Sequence, residues 1–499
     1  MSTTVTTKGS SYYCLLLPPR RQKPPGQSTT LMLLRRRLLF SRGCVRLLHG
    51  DGRRVVMLAE KDVPPLSMKT LTTILANRME AAPFLQEVLP VLMARMAVSM
   101  ENAPTSLGSM PAMDALRDWY AESADEIANC EAAPSSERWR TRPSKTFEAR
   151  ERKFGDLLES IRSRGREVRD SLVMATSATG GLWRQNKEAQ KEIDEFLISF
   201  YERRLTLRLL LGQYATCRQQ QQLTFSHDDS YLVSTFAGLD ANGDGKLDTE
   251  ELAKARTSYA RSEPMRGCAD VRKASVCGLV DEAMSPFDVA VQAVADVMQE
   301  CKMSQEFQEA PPFTMHGRGQ GLRMRYLPRH LYKILRDLLR NAAHATLRKK
   351  KQASSSSQRI MMPPIRVIIS DDATNDDVAI KVSDEAGGIP RSKVKNIFSF
   401  AGRGSSKDDK SKNFVSVLAD QSICRALGRP EPRLSDNNNA QDTTTALLQN
   451  HQHVGGHGLP ISRVYARYFE GDLHIRSMDG YGTDAYCYIS RIADNELPT

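Results

Sequence analysis

Two polar side chains four residues apart in an amphipathic segment could together carry out phosphoryl transfer. The segment 331–348 reads LYKILRDLLRNAAHATLR, and helical spacing places Asp337 and Asn341 one above the other on its polar face. An amide oxygen can hold a hard cation against phosphates, and a carboxylate can take a proton from the attacking group. Any amphipathic helix has a polar face, so the pair taken alone favours an ordinary solvated surface.

Two glycine-containing turns and one hydroxyl further along the chain could complete a nucleotide site. In VSDEAGGIP, 382–390, Asp384 ends a strand, where its carboxylate can accept a hydrogen bond from an exocyclic amine, and Gly388 leaves room for a flat ring. GGHGLP, 455–460, opens a helix whose N–H groups suit a polyphosphate. The nucleotide-binding residues predicted from the second turn and the last strand are Gly456, His457, Gly458, Leu459 and Thr483.

Residues 240–251, DANGDGKLDTEE, match a twelve-residue calcium loop at every informative position. Gly245 allows the sharp turn at position 6. The alternative is an Asp/Asn/Gly-rich turn without a metal. No second loop in the sequence matches this pattern, so the partner of this EF-hand is either a degenerate loop or a second molecule. The predicted calcium ligands are Asp240, Asn242, Asp244, Lys246 through its carbonyl, Asp248 and Glu251.

The charge distribution argues against a nucleic-acid partner and favours a mitochondrial location. The chain has a net charge of +11, but residues 1–50 hold nine of its lysines and arginines and no acidic residue, which leaves the remainder nearly neutral. An Arg-rich, Ser/Thr-rich start without acids is typical of a mitochondrial transit peptide, and a disordered basic tail is the alternative. We therefore expect residues 1–55 to be a disordered transit peptide and the protein to reside in the mitochondrial matrix.

Apolar patterning and cysteine usage exclude two further classes. No uninterrupted apolar run approaches the length that spans a bilayer, so we expect no integral membrane contact. The nine cysteines show no Cys-x-x-Cys pair and no regular spacing, which indicates neither a disulfide framework nor a zinc site.

Periodicity predicts two domains with an insert between them. Apolar residues at three- and four-residue spacing predict helices at 68–79, 82–99, 110–129, 147–176 and 191–213, an up-and-down bundle within 64–216. A Gln-rich linker at 217–222 begins the EF-hand insert, 217–277. Residues 279–492 contain predicted helices at 287–303, 331–348, 392–400 and 460–469 and strands at 365–370, 378–382, 472–477 and 483–490. Residues 311–327 are read as a Pro/Gly-rich connection, and 402–454 as a polar mobile lid.

These motifs resemble those of a known kinase family. LRDLLRNAAHAT, VSDEAGGIP and GHGLPISRVYARYFEGDLHIRSMDGYGTDA are similar to the N-box, adenine box and glycine box of the mitochondrial protein kinases of the 2-oxoacid dehydrogenase complexes, on the ATPase fold shared by gyrase, Hsp90, histidine kinases and MutL. Segments 65–71 and 196–214 resemble the helical bundle of the same family, and the sequence is nearer to the pyruvate dehydrogenase kinases than to the branched-chain branch. The resemblance implies a helical bundle followed by a Bergerat-type α/β sandwich ATPase domain, to which this chain adds the EF-hand.

The resemblance also implies an activity and its residues. It implies an ATP- and Mg²⁺-dependent protein-serine kinase that inactivates the E1 subunit of a 2-oxoacid dehydrogenase and docks on lipoyl domains of E2, and we expect a homodimer. Asn341 would be the Mg²⁺ ligand, Asp384 the adenine-amine acceptor and Asp337 the base, where the family has a glutamate. Lys333 replaces a family histidine, and Ala386 and Val454 replace motif glycines. A catalytically weak, nucleotide-binding scaffold on the E2 core is therefore the alternative.

Overall fold

The first part of the described chain is helical, and the second part is built on a six-stranded mixed sheet. The structure is a computed structural model. It describes residues 52–64, 66–67, 69–76, 78–108, 110–130, 145–165, 172, 186–223, 246–250, 276–317, 321–354, 362–371, 377–400 and 457–491. The predicted lid and all of the predicted transit peptide before residue 52 lie outside these residues.

The helical part has the predicted bundle architecture. Its core contains an aromatic cluster in which Tyr120 meets both Trp119 and Phe200 edge to face, at centroid separations of 4.6 and 6.5 Å. The helices are α1 (Gly52–Ala59), α2 (Arg78–Glu101), α3 (Thr105–Gly108), α4 (Pro111–Asn129), α5 (Lys145–Arg164) and α6 (Lys187–Leu223).

Within α2, the stretch Glu80–Glu101 is long and apolar enough to cross a membrane by length and composition alone. Two thirds of its most apolar window is buried, and the helix packs against α4 and α6. It therefore has the composition expected of the central helix of a bundle.

Local interactions move several boundaries from their predicted positions. Helix α1 starts inside the segment predicted to be disordered up to residue 55, because Val55 is buried against the bundle. The predicted helix 68–79 is instead a π-helical turn, Thr70–Ile74, whose first residue exchanges two 3.3 Å hydrogen bonds with Ser67.

The predicted ends of two further helices were wrong. One helix ends earlier in the chain than predicted, and the other continues further. The helix predicted to reach residue 176 ends at Arg164, where the carbonyl of Gly165 accepts a hydrogen bond from Arg204 Nη2 at 2.5 Å. The Gln-rich stretch 217–222, predicted to be a linker, is part of α6. Glutamine is a good helix former, so its polarity alone did not identify a linker.

The six-stranded sheet has the order β1-β4-β6-β7-β9-β8. Strands β4 and β6 are parallel, and all other neighbours are antiparallel. A second sheet, β2-β3-β5, is antiparallel. The strands are β1 (Lys246–Leu247), β2 (Val276–Cys277), β3 (Val280–Met284), β4 (Phe313–Gly317), β5 (Met324–Tyr326), β6 (Ile365–Asp371), β7 (Asp377–Asp384), β8 (Asp472–Met478) and β9 (Gly482–Ser490).

Among the residues that the structure describes, four helices accompany the sheets, and the long central one carries the candidate site. They are α7 (Pro286–Met303), α8 (Pro328–Ser354), α9 (Arg391–Val394) and α10 (Gly458–Tyr468). Helix α8 packs against α7, α10 and β7. The apolar stripe predicted from its three- and four-residue spacing is buried except at Ala345, which is partly buried, and this leaves the polar face with Asp337 and Asn341 toward the cleft side. The stripe consists of Leu331, Ile334, Leu335, Leu338, Leu339, Ala342 and Ala345.

Two predictions for the second half were wrong. The Pro/Gly-rich connection 311–327 contains β4 and β5, whose short strands form because β6 and β3 offer backbone partners. The helix predicted at 392–400 ends as a helix at Val394 and continues as turns, in which backbone hydrogen bonds span three residues, as from Ile397 N–H to the Val394 carbonyl. At the end of these turns, Phe400 N–H donates to Asp194 of the bundle at 2.8 Å.

Helix α6 joins the bundle to the sheet domain through specific contacts. Thr206 Oγ1 and the Tyr468 hydroxyl on α10 lie 2.7 Å apart. Tyr201 stacks on Phe400 with ring centroids 5.4 Å apart. The two domains therefore meet at both ends of α10, through Tyr468 at its C-terminal end and through Phe400, whose ring contacts His457 at its N-terminal end.

Candidate active site

Three polar residues follow one another along the exposed face of α8. Lys333, Asp337 and Asn341 are each one turn apart, and the ammonium group of Lys333 contacts Asp337 Oδ2. Asn341 is exposed to solvent, whereas Asp337 is partly buried. The helix thus brings a carboxylate and an amide oxygen to one surface, as the spacing predicted.

Helix α10 closes over the same carboxylate. Ser462 Oγ, on a fully buried residue, donates a hydrogen bond to Asp337 Oδ2 at 3.1 Å. A Cβ placed on Gly458, the first residue of α10, would lie 3.7 Å from the same oxygen. The candidate base therefore lies next to the helix N-terminus that was predicted to receive phosphates.

Sequence reasoning missed Ser462. It is one turn after Gly458 on α10, so helical periodicity places the two on the same face. That spacing is the signal that could have identified it.

A second group of predicted residues surrounds the carboxylate of Asp384 at the end of β7. Asp384 is 9 % exposed, and its Oδ1 accepts the N–H of Ala386 at 3.0 Å. Thr483 is its direct cross-strand partner on β9 and also donates its N–H to this carboxylate. Burial raises the pKa of Asp384, and these N–H bonds act in the opposite direction. The result is a fixed, largely desolvated hydrogen-bond acceptor.

The turn after Asp384 requires glycine for a structural reason. Gly388 has φ of +73°, and a Cβ there would overlap the carbonyl oxygen of Met478. Ser477 Oγ fixes the next residue by accepting the Ile389 N–H at 2.7 Å, and Thr483 Oγ1 lies 3.0 Å from the same hydroxyl. Thr483 and the glycine turn are thereby held in one hydrogen-bonded group beside Asp384.

The far end of α8 supports this turn, which the sequence did not reveal. Lys349 Nζ donates to the carbonyl of Glu385 at 2.8 Å, and the Glu385 carboxylate pairs with Arg366 at 2.6 Å. Helix α8 therefore contacts both groups of predicted site residues, one through Asp337 and the other through Lys349.

The residues that open α10 have different surroundings. His457 is buried, and its ring meets Phe400 edge to face at 5.0 Å. Leu459 is partly buried against the core. Gly456 lies outside the described residues. The structure thus brings Gly458 to Asp337 and places the His457 ring beside the contact between the bundle and the sheet domain.

The predicted metal ligands are described only in part. Asn341 is a hard oxygen donor at the surface of α8, which fits an ion such as Mg²⁺ that takes its other ligands from phosphates and water. Among the described residues, no group of three or more His, Cys, Asp or Glu side chains could enclose a metal. Of the predicted calcium ligands, Lys246 and Asp248 are described, and Asp240, Asn242, Asp244 and Glu251 lie outside the described residues.

Comparison with known proteins identifies two family matches. The family model for mitochondrial branched-chain alpha-ketoacid dehydrogenase kinase matches residues 65–235. The model for the histidine kinase-, DNA gyrase B- and HSP90-like ATPase matches residues 326–491. The first match covers the helical part from the Thr70–Ile74 turn to the end of α6, and the second covers α8, the turn after Asp384, α10 and the last two strands.

Mitochondrial pyruvate dehydrogenase kinases are similar to this chain over most of its length. The mitochondrial pyruvate dehydrogenase (acetyl-transferring) kinase of Arabidopsis thaliana is 28 % identical over 423 residues, which cover 85 % of this chain and 87 % of that protein. Isozyme 4 from Rattus norvegicus is 23 % identical over 449 residues, covering 89 % and 85 %. Isozyme 1 from Mus musculus is 25 % identical over 438 residues, covering 87 % and 78 %.

Proposed function

Because the chain belongs to the family of mitochondrial pyruvate dehydrogenase and branched-chain 2-oxoacid dehydrogenase kinases, with a GHKL-type ATPase domain, we propose that it phosphorylates serine on the E1 subunit of the pyruvate dehydrogenase complex. It does so with ATP in the mitochondrial matrix, and the outcome is an inactivated dehydrogenase. The helical bundle docks on lipoyl domains of E2, and the protein acts as a homodimer.

The observation that carries this proposal is the meeting of α8 and α10 at Asp337. Both hydrogen-bond partners of Asp337 within the described parts of the chain, Lys333 and Ser462, engage Oδ2. This leaves Oδ1 as the oxygen that accepts the proton from a substrate hydroxyl. Gly458 lies beside the same carboxylate, so the transferred phosphate and the base belong to one cleft.

The remaining site residues are assigned by their chemistry. Asp384 accepts the adenine amine, Gly388 and Thr483 border the base, and Gly456, His457, Gly458 and Leu459 contribute the phosphate loop. Asn341 would hold Mg²⁺, which would neutralise charge on the phosphates. Asp337 then positions and deprotonates the serine hydroxyl.

The test is a phosphorylation assay with separated substrates. Purified protein is incubated with Mg²⁺ and labelled ATP and with the E1 subunit of either the pyruvate or the branched-chain dehydrogenase. Phosphoserine is located by mass spectrometry, and dehydrogenase activity is followed in parallel. We expect phosphate on the pyruvate E1 with loss of its activity; label on the branched-chain E1 alone would assign the other complex.

A catalytically weak scaffold on the E2 core is a second candidate, and one observation favours it. Lys333 occupies an oxygen of the only carboxylate that the N-box helix offers to the cleft, and Asp337 is one methylene shorter than the family glutamate. Nucleotide binding without phosphate transfer to either E1, and activity gained on Asp337→Glu, would establish this candidate instead.

We further propose that residues 240–251 bind one calcium ion. The support is the ligand pattern of the sequence, in which Asp240, Asn242, Asp244, the Lys246 carbonyl, Asp248 and Glu251 occupy the ligand positions. Asp248 is exposed, and its Oδ1 accepts the Glu250 N–H at 2.9 Å. Calorimetric titration of the full chain with calcium, expected to give a dissociation constant of roughly 10⁻⁷–10⁻⁵ M, tests the site.

A further inference from the structure

The short strand β1 belongs to the calcium loop by sequence and to the ATPase sheet by hydrogen bonding. Lys246 and Leu247 are positions 7 and 8 of the loop. They pair antiparallel with β4, Lys246 opposite His316 and Leu247 opposite Met315. The loop thereby adds a strand to the outer edge of the six-stranded sheet.

Thr249 continues this pairing with its side chain. Its Oγ1 donates to the carbonyl of Phe313 at 3.1 Å and accepts the N–H of the same residue at 3.0 Å. Thr249 is two residues after Leu247 and Phe313 two before Met315, so the antiparallel register is maintained. The Thr249 hydroxyl therefore provides the hydrogen bonds to β4 at the point where the loop backbone becomes helical.

The contact satisfies an edge that would otherwise be open. Without β1, β4 would be the outermost strand of the sheet and would expose a row of backbone N–H and C=O groups. Phe313 and Met315 are fully buried, so their backbone positions are fixed by the core. Addition of a strand to such an edge is a standard mode of segment binding, in which backbone hydrogen bonds provide the affinity.

Predicted ligands and residues that contact β4 lie on the same short stretch of backbone. Lys246 and Asp248 are predicted ligand positions, Lys246 and Leu247 pair with β4, and Thr249 hydrogen-bonds Phe313. A metal that fixes the ligand positions also fixes the residues between them, because one stretch of backbone carries both. We propose that strand β4 of the ATPase sheet is the partner of this single EF-hand, so that calcium binding and the sheet edge stabilise each other.

This inference rests on the proposed calcium site and answers which element pairs with the hand. It also provides a route into the nucleotide site. Strand β4 pairs with β6, β6 with β7, and β7 ends at Asp384. Only two strands separate the calcium loop from the strand that carries the adenine acceptor. Calcium and nucleotide affinities would then be linked reciprocally.

The test separates metal ligands from docking residues. Thr249→Val removes the hydroxyl that bonds Phe313 and leaves every predicted ligand in place, and Thr249→Ser restores the hydroxyl. Thr73→Val is the matched control, because the exposed Thr73 hydroxyl bonds only its own turn, donating to the Lys69 carbonyl at 2.6 Å. Glu251→Gln serves as the metal-deficient reference. Calcium affinity is measured by calorimetry on the full chain, and hydrogen exchange is followed in a peptide covering 313–317.

We expect calcium to slow exchange at 313–317 in the wild type, in Thr249→Ser and in Thr73→Val. Thr249→Val should bind calcium about tenfold more weakly, since two hydrogen bonds are lost, and should show no calcium-dependent protection of β4. Equal calcium affinity in Thr249→Val and the wild type, with exchange of β4 indifferent to calcium, would overturn the inference while the calcium site stands. Absence of calcium binding in the wild type would overturn both, and the phosphorylation assay without calcium still judges the kinase proposal separately.

Discussion

The ammonium group of Lys333 contacts Asp337 Oδ2 one turn further along α8, and Ser462 Oγ donates to the same oxygen at 3.1 Å. The carboxylate that is the candidate base is therefore held from two helices, α8 and α10. Lys333 is also one of the positions at which this chain departs from the family pattern. The rate of phosphoryl transfer should depend on this contact.

Replacing Lys333 by Met should raise the rate of phosphoryl transfer several-fold. A carboxylate relieved of an adjacent ammonium group is a more available proton acceptor, and Ser462 still orients it. Single-turnover transfer of labelled phosphate to E1 measures the effect. Lys191→Met is the matched control, because Lys191 forms a similar one-turn pair with Glu195, at 3.7 Å, on the exposed surface of α6. A slower Lys333→Met enzyme would mean that the ammonium group assists transfer.

Asp384→Asn should weaken ADP binding roughly 10- to 100-fold, because a hydrogen bond between a charged, buried acceptor and the adenine amine is lost. Calorimetry with ADP provides the measurement. Asp377→Asn, at the exposed opposite end of β7, is the control and should bind ADP as the wild type does. Equal affinities in both variants would remove Asp384 from the adenine site.

Asn341→Ala should abolish the magnesium-dependent part of nucleotide affinity, because the amide oxygen is the protein ligand assigned to the ion. Titrations with ADP in magnesium and in EDTA separate this part from contacts to adenine. Asn102→Ala, an exposed amide that bonds Val98 within α2, should leave both titrations unchanged. A magnesium effect that persists in Asn341→Ala would contradict the assignment.

His330 predicts a loss of stability in mild acid. Burial lowers the pKa of His330 to about 4, despite the 2.7 Å hydrogen bond between its Nε2 and the Tyr465 carbonyl. Between about pH 4 and 6.5, His330 binds a proton in the unfolded chain but not in the folded one. The free energy of unfolding therefore falls as the pH is lowered through this window.

The size of this contribution is about 2 kcal/mol between pH 7.5 and pH 5. Urea unfolding of the wild type and of His330→Gln at both pH values isolates it. The stability difference between the two proteins should shrink by this amount at pH 5. A difference that does not change with pH would show that His330 is not kept neutral by the fold.

Periodicity predicted much of the framework that carries the candidate site residues. The strands that carry Asp384 and Thr483 were predicted within two residues of their observed ends, because alternating burial marks half-buried strands. Helix α8 was predicted from 331 to 348 and extends from Pro328 to Ser354. Its polar final turns continue the helix without any apolar signal, and this is why Lys349 was not seen as a site residue.

What the sequence did not predict depends on contacts between distant segments. Strands β4 and β5 have five and three residues, too few for a clear period, and their pairing partners are remote in sequence. The strand pairing of Leu247 with Met315 joins residues 68 positions apart and has no local sequence signature. The hydrogen bond from Ser462 to Asp337 likewise exists only once α10 lies on α8.

The most direct measurement of the kinase proposal is the behaviour of Asp337→Asn. This substitution keeps the size of the side chain and its contact with Ser462 but removes the proton acceptor. We expect ADP affinity close to that of the wild type and transfer to pyruvate dehydrogenase E1 slowed by at least about 100-fold. Wild-type transfer rates in Asp337→Asn would contradict the kinase proposal.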